Sequence, residues 1–302
     1  MATVKIKAYA KINLTLEITG VEGGFHMLDS LVASLDLHDV IVLKKRKDAL
    51  SFITMKGMGS ELIPPEQNNA LKAAEAFSKK FGVNGADITV YKNIPLGGGL
   101  GGSSADVAGV LRGMQKLYKI EDEAGIETLA NMLGSDTKYM LNGGFARMQG
   151  RGDKVTFLGI DETLHFLMLC PKSSVNTKAC YQKYDELPKT LEWRESYTDA
   201  CIQNLRSHDK NGVGRYLTND LYVPALHINP DVEKAFEEAK SFSPLGTVMT
   251  GSGSCVLALF ETKELCEWAK SRYKGKFTAK VVKTVTPKKE KKGWKSPWSL
   301  EE

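Results

Sequence analysis

The sequence predicts an α+β protein built from two domains. Strand-like and amphipathic helical segments are mixed without the regular strand–helix alternation that a doubly wound sheet requires. At 302 residues the chain is also long for a single core. A short apolar strand from Phe166 to Cys170 stops at Pro171 in mid-chain and opens a second unit. The expected division is an N-terminal domain over 1–160, a C-terminal domain over 161–286 and a flexible basic tail over 287–302.

Val4 to Ala10 and Ile12 to Ile18 read as two strands, with Lys11 and Asn13 as polar positions in an apolar stretch. Gly20 to Gly24 form a loop, and strands follow at Asp39 to Lys44 and Leu50 to Met55. Asn68-Asn69 start a helix with Leu71, Ala74, Phe77 and Phe81 along one stripe. Ala86 to Tyr91 is a strand that Ile94-Pro95 delivers into a glycine-rich loop. Helices are expected from Ser104 to Tyr118 and from Ala124 to Leu133, whereas Thr137 to Leu141 fits helix or strand. Gly143 to Ala146 and Gly150 to Asp153 are turn-rich and close the first unit. In the second unit, Tyr197 to Arg206 and Asp231 to Phe242 are helical, the latter entered through Asn229-Pro230 as cap and first-turn proline. Thr250 to Ser254 form a second glycine–hydroxyl element ahead of a strand, Cys255 to Phe260. Thr262 caps a last helix to Arg272, and Lys276 to Val285 is the final strand.

Composition narrows the function classes. With 42% hydrophobic and 25% charged residues, the chain is an ordinary globular one. No apolar run reaches the ~20 residues of a bilayer span, and Met1 to Lys5 show no signal or transit pattern, so a cytoplasmic protein is expected. Five lysines and one glutamate between 288 and 295 hold four of the five net positive charges. The rest is near neutral, which argues against a nucleic-acid-binding face. The five cysteines show no C-x-x-C pair and are read as reduced, without metal or disulfide framework.

The segment Pro95-Leu96-Gly97-Gly98-Gly99-Leu100-Gly101-Gly102-Ser103-Ser104 stands out. Glycines let a ligand approach the main chain, and the helix that follows offers free N–H groups and a positive dipole end. Together these suit a polyphosphate. Gly97, Gly99 and Gly102 satisfy G-x-G-x-x-G formally, but no acidic residue ends a strand about 20 residues on, as a dinucleotide site would want. The P-loop pattern fails, because no Lys-Ser or Lys-Thr follows the glycines. A tight packing turn without ligand is the other reading of the segment.

Three separated pieces, Ala8 to Leu14, Pro95 to Ala108 and Gly251 to Ser254, resemble in order the three motifs of the GHMP small-molecule kinases. Gly24-Phe25-His26, Gly134-Ser135-Asp136 and Gly150-Arg151-Gly152 resemble a branch of that family acting on a cytidine-linked alcohol. The resemblance implies the two-domain GHMP kinase fold with the active site in the cleft between domains. It implies ATP-dependent phosphorylation of the 2-hydroxyl of 4-diphosphocytidyl-2-C-methyl-D-erythritol in non-mevalonate isoprenoid precursor synthesis, with Mg2+ as cofactor. By the same resemblance Lys11 and Asp136 are catalytic, and Pro95, Gly97, Gly98, Gly99, Leu100, Gly101, Gly102, Ser103 and Ser104 hold ATP. Ser103 or Ser104 could reach a phosphate or Mg2+, with the metal ligands otherwise open and Ser104 the candidate. Asn13, Phe25, His26, Asp136, Thr177, Tyr181, Gly251 and Ser252 contact the substrate, Phe25 and Tyr181 stacking on the base. A small-molecule substrate, no nucleic-acid or membrane partner, and a monomer or homodimer are expected. The segment Thr137-Lys138-Tyr139-Met140 departs from the family pattern and is expected to shape the wall beside the acceptor. Two alternatives follow: a GHMP kinase of another small alcohol, and a nucleotide-binding module without catalysis.

Overall fold

The computed structural model describes residues 2–57, 59, 64, 68–188 and 195–285. The basic tail, with the expected unit 287–302, lies outside the described residues. Two sheets organise the chain. The first has eight strands: β1 (Thr3–Asn13), β2 (Thr15–Glu22), β3 (Phe25–Lys45), β4 (Phe52–Gly57), β5 (Ala86–Lys92), β6 (Ala146–Gly150), β7 (Lys154–Phe157) and β9 (Thr218–Asn219). The second is antiparallel in the order β10 (Gly246–Met249), β11 (Val256–Phe260), β8 (His165–Cys170) and β12 (Thr278–Lys283).

Strand β3 is the spine of the first sheet. Its 21 residues pair with β1 and β5 at one end and with β2 and β6 at the other. Sequence reading places a strand only at its far end, from Asp39, because Asp29, Asp36 and His38 interrupt the apolar pattern before it. The structure tolerates Asp29 and Asp39 because each has a cationic partner, Arg147 and Lys92 respectively. Strand β1 likewise runs through Lys11, with a bulge between Tyr9 and Lys11, so the break expected at Lys11 falls three residues later at Leu14. The turn-rich stretch after Phe145 is a hairpin, β6 with β7.

The helices follow their caps. α1 (Asn69–Phe81) starts where the Asn68 side chain accepts from the Ala70 amide and ends at left-handed Gly82. α2 (Gly102–Tyr118) buries one side against β1 and β3, and α3 (Glu123–Leu133) and the single turn α4 (Thr137–Met140) pack beside it. In the second half, α9 (Pro230–Lys240) and α10 (Lys263–Arg272) are capped by Asn229 and Thr262 as expected. Helix α6 (Tyr197–Arg206) has the expected bounds, whereas α5 (Thr177–Glu186), α7 (Lys210–Arg215) and α8 (Tyr222–Ile228) are additions to the sequence reading. α5 and α7 carry too few apolar residues for their length to show a stripe, and α8, though mostly apolar, is only seven residues long.

The halves interlock. Strand β9, from the second half, pairs in parallel with β2 of the first. Buried Glu17 of β2 accepts from the amides of Tyr197 and Thr198 at the start of α6, at 3.2 and 2.8 Å. One apolar cluster runs from Ile6 and Leu31 through to Phe166, Ile202 and Leu257. The reading of all cysteines as reduced is corrected by the second sheet. Cys170 and Cys255 form a disulfide, because Leu169 and Val256 pair across β8 and β11 and bring the next two residues opposite each other. Cys180, Cys201 and Cys266 are free and buried.

Candidate active site

The glycine loop passes from β5 to α2 and lies against the turn between β10 and β11. The amides of Ser254 and Cys255 donate to the carbonyls of Gly97 and Gly98 at 3.3 and 3.2 Å. Gly99 adopts φ +75°, and a Cβ there would lie 2.0 Å from the Thr250 carbonyl oxygen. Only glycine permits this approach. The loop is held on its other side too, since the Lys11 amide donates to the Leu100 carbonyl at 3.0 Å.

Gly101 ends the loop as the N-cap of α2, in the left-handed region and with no side chain capping the helix. The first-turn amides therefore have no intrahelical or side-chain partner. Ser103 is exposed, and Ser104 is half-buried. The Ser104 hydroxyl faces the turn before Asp136, where a Cβ on Gly134 would lie 3.4 Å from it. The side chain of Leu100 is in the core, so this residue offers a ligand only its backbone.

Beside the helix start, two β1 side chains meet Asp136. Lys11 is 6% exposed, donates to Asn13 Oδ1, and lies 3.7 Å from Asp136 Oδ2. Burial lowers its pKa, and the Asp136 carboxylate opposes that shift. Asn13 is fixed on three sides: its Nδ2 donates to Ser30 Oγ at 2.8 Å, its Oδ1 accepts from the Gly251 amide at 3.1 Å, and its own amide donates to Thr250 Oγ1 at 3.0 Å. Asp136 is the N-cap residue of α4 but makes no side-chain cap, so its carboxylate stays available to the cleft.

The cleft is about 840 Å³ in volume. Asn13, Phe25, His26, Asp136, Thr177, Tyr181, Gly251 and Ser252 all line it, together with Lys11, Gly99 and Gly101. In the cleft His26 Nε2 is 2.8 Å from Asp185 Oδ1, and its ring lies 4.8 Å from that of Tyr181. Thr177 Oγ1 is 2.9 Å from Ser252 Oγ, which ties α5 to the second glycine turn. The Arg151 guanidinium covers one face of Phe25 at 3.6 Å. Pro95, Gly97, Gly98, Leu100, Gly102, Ser103 and Ser104 are outside the cleft lining, on the loop and helix start adjoining it.

One expectation is corrected. Residues Thr137 to Met140 do not line the cleft; Tyr139 and Met140 are wholly buried, and the Tyr139 hydroxyl donates to the Gly144 carbonyl at 2.7 Å. Their variation is absorbed by the core behind Asp136. Sequence reasoning missed Ser30, Arg151, Lys178, Gln182 and Asp185 as lining residues. Arg151 carried a signal, standing between two glycines in a matched motif; Asp185 carried none, lying 159 residues from His26.

Beneath the loop is a second charged group. Lys92 Nζ binds Asp39 Oδ2 and, at 2.6 Å, Asp106 Oδ2, all three side chains being buried. Asp39 Oδ1 accepts from the amides of Asn93 and Ile94 at 2.5 and 2.8 Å. The triad thus joins the entry of the loop to the first turns of α2. Burial, with a smaller contribution from Asp39, pushes the Asp106 carboxyl up to about 7 against the pull of Lys92.

The chain resembles known proteins in both sequence and structure. Residues 68–146 match the N-terminal domain model of the GHMP kinases and residues 201–274 match the C-terminal one. The chain is 33% identical over 287 residues to the 4-diphosphocytidyl-2-C-methyl-D-erythritol kinase of Clostridium beijerinckii, covering 92% of this chain and 100% of that protein. To the enzyme of the same name from Carboxydothermus hydrogenoformans it is 34% identical, covering 85% and 88% of the two chains. A crystal structure of 4-(cytidine 5'-diphospho)-2C-methyl-D-erythritol kinase superposes with a TM-score of 0.74 at 26% identity, over 92% of this chain and 99% of that one. The homoserine kinase of Cytophaga hutchinsonii, at 18% identity and a TM-score of 0.71 over 95% of both chains, shares the fold.

Proposed function

The chain belongs to the GHMP kinase family, and from that premise we propose that it transfers phosphate from ATP to the 2-hydroxyl of 4-diphosphocytidyl-2-C-methyl-D-erythritol. The carrying observation is that one cleft is lined both by Lys11, Asn13 and Asp136 and by Phe25, His26 and Tyr181. An acceptor that carries a base and a polyol joined by a diphosphate calls for both groups in one cleft.

GHMP kinases use ATP as phosphate donor. The loop fits a polyphosphate, because its glycines keep side chains off the main chain and α2 starts without a cap. Pro95 to Ser104 would hold ATP there, which supplies the phosphoryl group. Among the described residues no cluster of three or more Asp, Glu, His or Cys side chains is placed to hold a metal. Mg2+ would be held chiefly by phosphate oxygens, with the Ser104 hydroxyl as the protein's contribution. Asp136 accepts the proton of the attacking hydroxyl. Lys11 neutralises charge beside that oxygen and is oriented by Asn13, which Ser30 and Gly251 hold in place. Thr177, Gly251 and Ser252 position the acceptor between its ends, and Phe25 and Tyr181 stack on the base. We take 1–160 and 161–286 as the domains flanking the cleft, in a cytoplasmic monomer or homodimer. Among the described residues no helix is long and apolar enough to cross a membrane.

Incubation with ATP, Mg2+ and a panel of alcohols tests the assignment. Stoichiometric ADP formation is expected with 4-diphosphocytidyl-2-C-methyl-D-erythritol, and little with mevalonate or homoserine. Turnover of another alcohol alone would overturn the acceptor and retain the kinase. Nucleotide binding without turnover of any alcohol would overturn both.

A further inference from the structure

We propose that Asp185 is a positioning residue that sets which nitrogen of His26 carries the proton, and so makes the cleft choose a base bearing an exocyclic amine. The inference rests on the cytidine-linked acceptor proposed above and adds the device that tells cytosine from uracil.

Thr177, Tyr181 and Asp185 recur every four residues on α5, which puts them along one face of the helix. All three line the cleft. From that face Tyr181 lies against the His26 ring, with centroids 4.8 Å apart at 31°. Tyr184 meets the same ring edge-on at 5.9 Å. The imidazole is therefore held in plane and in place before any ligand arrives.

The hydrogen bond supplies the direction. An ionised carboxylate only accepts, so at the 2.8 Å contact His26 Nε2 is the donor and Asp185 Oδ1 the acceptor. A neutral imidazole with its proton on Nε2 presents a lone pair on Nδ1. Among the described residues Nδ1 has no protein partner, and the ring lines the cleft. An acceptor in that position pairs with the amine of cytosine and faces the carbonyl oxygen of uracil lone pair to lone pair. Sites built for a particular hydrogen bond reject analogues that leave it unmade. Asp185 is half exposed, so its contribution is the choice of tautomer rather than the strength of an ion pair.

The test uses the full-length protein and the variants Asp185→Asn and Asp185→Glu. At about pH 8, where ordinary imidazoles are neutral, 15N NMR of the free protein reads the His26 tautomer. Steady-state kinetics are run with the cytidine-linked acceptor and its uridine counterpart at saturating ATP. Wild type is expected to carry the proton on Nε2 and to prefer the cytidine compound. An amide can donate as well as accept, so Asp185→Asn should mix the tautomers. It should lower the cytidine-over-uridine ratio of kcat/KM roughly tenfold, through KM with kcat within about twofold. Asp185→Glu should restore tautomer and ratio, whereas a merely structural role would move neither the tautomer nor the ratio. Protonation of Nδ1 in wild type, or a ratio within about twofold of wild type in Asp185→Asn, overturns the inference while the kinase assignment stands. A wild type inert toward the cytidine compound overturns both.

Discussion

Replacing Gly99 with alanine should separate the phosphate loop from the turn it rests on, and Gly82→Ala is the matched control. Both glycines adopt left-handed backbone, at φ +75° and +63°. For any other residue that region costs about 1 kcal/mol or slightly more. At Gly82, the C-cap of α1, an added Cβ meets nothing within 4 Å, so the backbone penalty is the whole effect. At Gly99 the same Cβ would lie 2.0 Å from the Thr250 carbonyl oxygen and 3.2 Å from that of Gly253. Neither is a flexible side chain, so the loop must withdraw by roughly an ångström to restore van der Waals contact. That withdrawal breaks the contacts made by Ser254 N, Cys255 N and Thr250 Oγ1 with the carbonyls of Gly97, Gly98 and Gly99. At about 1 kcal/mol each these sum, with the backbone penalty, to roughly 4 kcal/mol. Urea unfolding should show about 1 kcal/mol lost in Gly82→Ala and several times that in Gly99→Ala. The kinetic arm is sharper: Gly99→Ala should raise KM for ATP about tenfold or more, each tenfold being 1.4 kcal/mol of binding, while Gly82→Ala leaves it unchanged. Equal stability losses and an unmoved KM would refute the reasoning.

Asp136→Asn should cut kcat by about a thousandfold with little change in unfolding midpoint, and a loss below about tenfold would mean the residue is not the base. Burial raises the folded-state pKa of Asp106 to about 7, so its contribution is full below the unfolded carboxyl range and declines as pH rises from about 4 to about 7. The stability of wild type relative to Asp106→Asn, from urea midpoints across that window, should therefore fall with rising pH; a constant or widening gap would exclude this linkage. Denatured without reductant, the protein should take up alkylating reagent at three of its five cysteines, and at all five after reduction. Five labelled from the start would mean that Cys170 and Cys255 are not joined.

What the sequence made legible was local. Asn68, Asn229-Pro230 and Thr262 announced their helices because a cap acts within one turn. The glycine run and the helix after it were equally plain, being consecutive in the chain. What stayed hidden depended on partners far away. Asp29 looked like a strand breaker because its partner Arg147 lies 118 residues off. The disulfide joins residues 85 apart, across a pairing that no spacing rule reveals. Thr137 to Met140 sat next to Asp136 in sequence and were assigned to the cleft by adjacency. One helical turn is enough to point neighbours in opposite directions, and Tyr139 and Met140 face the core.

The bond network between β2, β9 and α6 bears on how the cleft opens. A hinge between the halves would have to pull Thr218 and Asn219 from β2, strip Glu17 from the start of α6, and part an apolar cluster that spans both. Each breaks buried contacts with nothing to replace them. Rigid-body gaping of the halves is thereby opposed by buried contacts. Cut between β7 and β8, the chain would yield two pieces, each missing part of its own interior. The halves of this protein are partners in one cooperative unit, and they should melt together.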